Sequence, residues 1–469
     1  MREAIQENYG LWRSVADALR GDVHRDFTSV SIGRAITLLA IPMVLEMMME
    51  SLFAVVDMFW VAHLGSDAMA TIGLTEAVET LLYGVAMGLS VATTAMVSRR
   101  IGEHDAERAA DAAGQSIVLG MIVAALASIA GSWFAPDVLR LMGATGGIVR
   151  TGVGYTRVIY GASVPVMLLF LINAVFRGAG DAALAMRVLW IGNLVNLILN
   201  PLLIFGVGPF PRLGVLGSGV GTTIGRSTGV AVQIWLLVRG SSRVKVGLRH
   251  LHLRAAAMWK LVRMSMGGMF QYLVGMAAWI VLVRMVSTFG SEAVAGYTVA
   301  MRIFIFAILP SWGLANAAAT LVGQNLGAGR PERAEESAWR AGLYNMVFLG
   351  LVAVGFVTMA RPLVSVFTPE AGVVVVAARA LRVISYGYIF YAWGMVTVQA
   401  FNGAGDTWTP TAISLGTNWA LQMPLAWALA FPLGFGPGGV FWAVAIAASV
   451  FAVVAVTMFR RGGWKRQVV

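Results

Sequence analysis

The chain has 469 residues, 58% hydrophobic and only 12% charged, with no cysteine. Soluble domains carry about 25% charged residues, so a solvated globular surface is excluded, as are disulfides, thiol nucleophiles and Cys-based metal sites. The net charge of +11 gives no case for a nucleic-acid partner, because the basic residues collect between apolar runs, where they set membrane topology.

Residues 1–34 hold Arg2, Arg13, Arg20 and Arg25 among several acids and lack the apolar core of a cleavable signal. They read as a cytosolic arm with an amphipathic segment over Ile5, Leu11, Trp12, Val15 and Leu19. A membrane-crossing helix takes about 20 apolar residues. Such runs fall near 35–62, 69–96, 115–139, 153–176, 184–207 and 217–238, then near 260–288, 294–320, 341–360, 376–401, 409–431 and 437–459. The pattern predicts an all-α integral membrane protein of twelve transmembrane helices. Pro42 and Pro165 interrupt spans, which membranes tolerate where neighbours satisfy the freed backbone.

The first span carries Glu46, Glu50 and Asp57. At about 100° per residue, Glu50 lies about 40° and Asp57 about 20° from Glu46, so all three share one stripe. The second span runs antiparallel and brings Glu76 and Glu79 to the depths of Asp57 and Glu50; the fifth adds Asn196 and Asn200 one turn apart. Ionisable groups inside a bilayer are costly and mark function by default. These seven residues are therefore the candidate cation-coupling set, an acidic and amide chamber facing outward. Crowded carboxylates suit reversible protonation, and their oxygens equally suit Na⁺, so a Na⁺ site at Asp57, Asn196 and Asn200 stands beside a proton site. Glu76 and Glu79 have a second reading, as helix-end groups near water or partners of an Arg such as Arg302. His63 reads as a wet interfacial histidine.

The sixth span ends in a basic segment, 240–259, expected to be a cytosolic linker. In the second half the intramembrane polar groups are Gln271, Arg284, Tyr297, Arg302, Asn316, Tyr391 and Gln399, the candidate substrate-cleft set. The two arginines alternatively pair across a cleft or snorkel to headgroups. The 25 methionines and 22 phenylalanines suit an adaptable pocket. Trp133, Trp190, Trp312, Trp442 and Trp464 divide between interfacial belt and cleft in a way sequence does not sort.

Arg99, Arg100, Arg108, Arg177, Arg187, the 239–254 cluster, Arg330, Arg333 and the 460–466 tail fall on one side of this topology. The other side holds chiefly Arg140, Arg150, Arg212 and Arg361. The positive-inside rule places both termini and the linker in the cytoplasm.

An internal repeat runs through the chain. Gly65-Ser66-Asp67-Ala68 returns as Gly290-Ser291-Glu292-Ala293, Glu107-Arg108-Ala109 as Glu332-Arg333-Ala334, and Gly178-Ala179-Gly180-Asp181 as Gly403-Ala404-Gly405-Asp406. Asn193 matches Asn418 and Gly214 matches Gly439, always 225 residues apart. Six spans per copy send both copies in from the same side, making parallel repeats with a substrate site expected between them. The expected units are lobes over 35–239 and 260–459, with a tail at 460–469. By the same offset Glu46 maps to Gln271 and Asp57 to Leu282, so the acids are not repeated.

The segment Val322-Gly323-Gln324-Asn325-Leu326-Gly327-Ala328-Gly329, followed by Pro331-Glu332-Arg333-Ala334, resembles the loop after the eighth helix of the multidrug and toxic compound extrusion (MATE) family. Val97 to Arg108 is a weaker copy. Arg177-Gly178-Ala179-Gly180-Asp181, Asn402 to Thr407, Pro42 and Val56-Asp57 also match family positions, over roughly residues 35–460. The resemblance implies a V-shaped, two-lobed bundle in a cytoplasmic (inner) membrane. It implies export of amphipathic, often cationic compounds against inward H⁺ or Na⁺, with Pro42 as a hinge and no ATP or cofactor. No GxxxxGK[ST] phosphate loop is present. Asp57 matches the family's first-helix aspartate, and Asn196 and Asn200 its fifth-helix polar pair; some prokaryotic members have aspartate where this chain has Asn200. The expected partners are small molecules and lipid, and the expected state is a monomer.

Three rivals stand beside efflux. A flippase or exporter of lipid-linked or other anionic substrates calls for extra spans or a cationic cleft. An intramembrane enzyme needs a nucleophile–base or metal set, and no mid-span His or Cys supplies one. A passive channel does not require the two-lobe repeat.

Overall fold

The computed structural model describes residues 14–21, 26–240 and 242–467, and no strand occurs among them. The first lobe contains α1 (Ile32–Ala62), α2 (Ser66–Gly102), α3 (Ala106–Trp133), α4 (Gly146–Gly161 continuing as Ser163–Ala179), α5 (Ala182–Phe205) and α6 (Val215–Arg239). The second contains α7 (Ala255–Ser287), α8 (Ser291–Gly327), α9 (Pro331–Ser365) and α10 (Ala371–Ser385 continuing as Tyr388–Ala404). Its last spans are α11 (Trp408–Leu415, a π-helical Gly416–Gln422, then Met423–Ala430) and α12 (Pro437–Arg460). The twelve expected spans are all found. Nine, with α4 counted across its break, are long and apolar enough to cross a membrane, and α10 makes a tenth as a pair bent by 58°. The remaining two are α6, diluted by Gly, Ser, Thr and Arg226, and α11, divided by its π turn.

The helices overrun their apolar cores. α2 and α9 extend well past the expected 69–96 and 341–360, and α7 starts before residue 260. Charged residues end a hydrophobic run without ending a helix, since long basic side chains reach headgroups from helical positions. The basic linker is accordingly short, and it is docked rather than loose. Gln115 donates to the carbonyls of His250 (3.2 Å) and His252 (2.6 Å) and accepts from the Arg254 N–H (2.9 Å). In the arm, residues 14–20 are helical and include Val15 and Leu19, while Ile5, Leu11 and Trp12 lie outside the described residues.

The break in α4 follows from Pro165. Proline offers no N–H to the carbonyl four residues back and its ring pushes against it. That carbonyl belongs to Gly161, where the first helix of α4 ends, and it accepts instead from the Ser128 hydroxyl at 2.9 Å.

The repeat is written into the backbone. Gly180 and Gly405, 225 residues apart, end α4 and α10 in the left-handed conformation, at φ 89° and 90°. Only glycine adopts this without steric cost, which is why these turn residues survive in both copies.

Equivalent residues also exchange contacts across the seam between lobes. A Cβ on Gly102 would fall 2.0 Å from the Gln324 carbonyl oxygen, and one on Gly327 would fall 2.1 Å from that of Arg99. Both pairs are related by the same 225-residue offset. Gly88 lies against Ser265 and Met269, and its counterpart Gly313 against Met43 and Val44. Such reciprocal pairing is the signature of a two-fold relation between the lobes, and the missing side chains let helix backbones touch. These contacts gather in the half of the bundle that carries both chain ends. In the opposite half, α1 packs on its own lobe, with Trp60 and His63 against Phe205. α7 does likewise, its C-terminal neighbour Phe289 stacking on Phe431. α1 therefore touches α8 of the second lobe with its first half and α5 of its own lobe with its second.

Candidate functional site

α6 carries Gly217, Gly221, Gly225 and Gly229 at four-residue intervals, one stripe facing α5. A Cβ on Gly225 would meet the Gly192 carbonyl oxygen at 2.7 Å and Asn196 Cβ at 2.8 Å; one on Gly221 would meet Asn200 Oδ1 at 2.0 Å. The small-residue stripe thus draws α5 onto α6 and fixes both asparagines. Asn200, fully buried, donates its side-chain N–H to Asp57 Oδ1, while its own Oδ1 is buried without a partner. Asn196 donates to the Thr222 hydroxyl at 2.9 Å. Asn200 is therefore brought to Asp57, with its N–H on the carboxylate and its oxygen packed on the α6 backbone at Gly221, while Asn196 is held by Thr222 one turn away on α5.

The single acidic chamber expected from sequence is divided by two arginines. Arg226 on α6 lies 3.4 Å from Glu79 and donates to the Tyr83 hydroxyl at 2.8 Å. It is also within electrostatic reach of Asp57, Glu76 and Glu50. Arg177 is not a loop residue. It sits in the last turn of α4, 3.2 Å from Glu46, which is buried and also accepts from Asn173 at 3.2 Å. Gln233 donates to Asn173 at 2.7 Å and extends this network. The shared stripe of Glu46, Glu50 and Asp57 is real, but Glu46 faces Arg177 at one depth and Asp57 faces Asn200 at another. Glu79 pairs with Arg226, not Arg302, and Glu76 is exposed. Arg226 was missed because glycines and threonines around it masked a mid-span position; its being ionisable there was the available signal.

A cavity of about 670 Å³ separates the lobes beside the glycine seam. Its first-lobe wall carries Glu46, Glu50, Arg177 and Arg226. Of these charges Glu50 alone makes no hydrogen bond or ion pair among the described residues. From the second lobe come Gln271, Tyr297, Asn316, Tyr391 and Gln399, all as expected, together with Trp279 and Trp312. Arg284 and Arg302 are exposed and absent from the wall. Helix phase explains Arg284: it lies about 140° around α7 from Gln271. The second-lobe wall therefore has no charge. Trp312 is a cleft residue, Trp133, Trp190 and Trp442 are exposed on the bundle surface, and Trp464 is buried against Phe459.

The MatE family model matches residues 42–202 and again 268–428. The chain belongs to this family of membrane transporters. The two matched segments reproduce the internal repeat, and the family is one of transporters, not enzymes. The chain is 24% identical to a probable multidrug resistance protein of Bacillus subtilis (strain 168), covering 93% of this chain and 95% of that one. It is also 24% identical to a probable multidrug resistance protein NorM of Thermotoga maritima, over 92% and 93%. Identity to a FAD transporter of Shewanella oneidensis is 25%, over 85% and 88%. Among solved structures, a MATE protein in complex with MaL6 superposes with a TM-score of 0.88 at 25% identity, covering 94% of this chain and 99% of that one. A MATE protein in a bent conformation gives 0.86 at 26% identity, over 97% and 98%. The transporter is thus a MATE efflux protein, consistent with its many apolar spans.

Proposed function

We propose that the transporter exports amphipathic cations in exchange for H⁺ or Na⁺, with Asp57 as the coupling group and Glu50 as the cation-reading charge of the cleft. The observation that carries this reading is the placement of Asp57 on α1. Its carboxylate is held by Asn200 in the first lobe, while the first half of the same helix lies against Gly313 of the second. A proton or Na⁺ arriving at Asp57 changes the charge that α5 holds, and α1, weakened at Pro42, carries the change to the seam. Na⁺ would be held by the Asp57 carboxylate with the Asn200 amide turned over to offer its oxygen; a proton would neutralise Asp57 directly. Glu50 lines the same cavity as Trp279 and Tyr391 without a hydrogen bond or direct ion pair among the described residues, although Arg226 is within electrostatic reach. A carboxylate with aromatic rings is the combination that holds a desolvated organic cation. Asn196 supports α5, and Glu79 and Glu76 set the local field through Arg226.

The same reading keeps the two lobes as rocking units, the transporter as a monomer in the cytoplasmic membrane, and both termini inside. Cysteine labelling on this Cys-free chain tests the sidedness: position 66 should react from outside and position 245 only from inside.

A second reading, export of anionic compounds, has in its favour Arg177 and Arg226 on the wall and a relative named as a FAD transporter. Both guanidiniums are already engaged by carboxylates, which places cations first. Uptake of a fluorescent lipophilic cation into inverted vesicles, with ΔpH and Na⁺ gradients imposed separately, decides the matter. Transport under one gradient alone identifies the ion; transport under neither, with anions carried instead, rejects the reading.

A further inference from the structure

In the first lobe Glu46 and Arg177 form a buried ion pair. The residues 225 positions later are Gln271 and Asn402. Both charges have been exchanged for amides, and both amides line the cavity. Where the charged pair closes on itself, the neutral pair does not, and Gln271 is left open to the cavity. Gln271 makes no side-chain hydrogen bond among the described residues, and Asn402, 4% exposed, has a buried Oδ1 with no partner.

Two further amides on the same wall belong to the π-helical turn of α11. Asn418 and Gln422 line the cavity, and neither makes a side-chain hydrogen bond among the described residues. The equivalent stretch of α5 is ordinary α-helix. π turns are rare and concentrate at functional sites because they re-aim side chains. The remaining amides are ordered among themselves: Asn402 donates to Gln399 at 2.7 Å, and Gln399 to Asn316 at 2.5 Å. One end of this chain is the free Asn402 oxygen.

Amides left open in a low-dielectric cleft are costly unless a ligand or water completes them. Each carries donors and an acceptor side by side and is neutral at every pH. The complementary ligand is therefore neutral, with donor and acceptor adjacent in one plane. Trp279 and Tyr391 add flat apolar surface to the same cavity wall.

We propose that the second-lobe half of the cleft reads a planar cyclic amide or imide on the substrate, gripped by Gln271, Asn418 and Gln422 against Trp279 and Tyr391. This rests on the cation-export reading for the other end of the molecule, which lies at Glu50.

The test uses two dyes and the purified full-length transporter, with binding read by fluorescence anisotropy. The first is 4-(2-dimethylaminoethylamino)-1,8-naphthalimide, a cationic amine with a free imide N–H. The second is its N-methyl imide, identical except for the lost donor. Wild type should bind the N–H dye about tenfold more tightly, the worth of one or two satisfied hydrogen bonds. Asn418→Leu and Gln422→Leu should each reduce that preference to about twofold or less, with a smaller loss of N-methyl affinity because the imide carbonyls lose an amide donor; an unchanged melting temperature in detergent reports that the variants are folded. Glu50→Gln should weaken both dyes by the same factor. Equal binding of the two dyes by wild type overturns the amide site and leaves cation export standing. A preference that survives both leucine variants also overturns it. If the preference is present but Glu50→Gln affects neither dye, the Glu50 reading falls and the amide site stands. Binding of neither dye to wild type overturns both.

Discussion

Ser98 and Gly323 hold equivalent places in the two repeats and meet on the seam, where a Cβ on Gly323 would stand 1.9 Å from the Ser98 hydroxyl oxygen. The glycine is present because its counterpart occupies the space. Gly102 and Gly327 flank this point with the same backbone-to-backbone approach, so the closed end of the cleft is a junction of equivalent residues.

Gly102→Val should open this junction. The new side chain meets a carbonyl oxygen that cannot swing aside, and overpacking of this kind costs about 1–3 kcal/mol. Spin labels at positions 104 and 330, on the Cys-free background, should report a longer and broader separation than wild type. Transport should fall with it. An unchanged distance would mean that the seam is not the closed gate.

Asp57→Asn mimics permanent neutralisation. The variant should fold and insert, yet lose gradient-driven efflux by about a hundredfold, as expected where a catalytic proton or cation site is removed, together with the ion dependence of substrate binding. Gln271→Ala should at most weaken substrate affinity. Normal transport by Asp57→Asn beside uncoupling by Gln271→Ala would assign coupling to the wrong lobe.

Gly221→Ala removes no polar group but places a methyl where Asn200 Oδ1 lies. Asn200 should be pushed off Asp57, giving an uncoupled transporter that still binds substrate. Efflux under each gradient should approach that of Asn200→Ala, while equilibrium binding of a cationic dye stays within about threefold of wild type. Full coupling in Gly221→Ala would show that the Asp57–Asn200 bond is dispensable.

Glu46 and Arg177 should be interdependent. Removing one partner of a buried pair leaves an uncompensated charge and costs about 3–5 kcal/mol. Arg177→Met should therefore lower thermal stability in detergent sharply. Glu46→Met combined with Arg177→Met should recover most of the loss, since apolar replacement of both is often neutral. A double variant as unstable as Arg177→Met would mean that the hydrogen bond of Glu46 to Asn173, which Gln233 supports, and not the charge balance holds the first lobe.

Twelve spans, the 225-residue repeat and the polar residues of α1 and α5 were legible because each is a one-dimensional signal. Hydrophobic run length reports bilayer thickness, and a constant offset reports duplication. Gln271, Asn316 and Gln399 were recognised as wall residues on the same basis, as polar groups where apolar ones are the rule. Arg284 and Arg302 met the same criterion and failed, because polarity within a span does not state which way a residue points.

The sequence by itself determined how often the chain crosses the membrane, that it does so in two copies, and that only the first copy keeps the acids. Tertiary structure alone decided which charges cancel. Arg177 finds Glu46 from 131 residues away and Arg226 finds Glu79 from 147, pairings that depend on the rotation and depth of whole helices. Those are set by where glycine lets two backbones approach. A stripe of acids on one helix is therefore visible in sequence, whereas the one cavity-wall charge without a hydrogen bond or direct ion pair among the described residues, Glu50, appears only once the other helices have taken their partners.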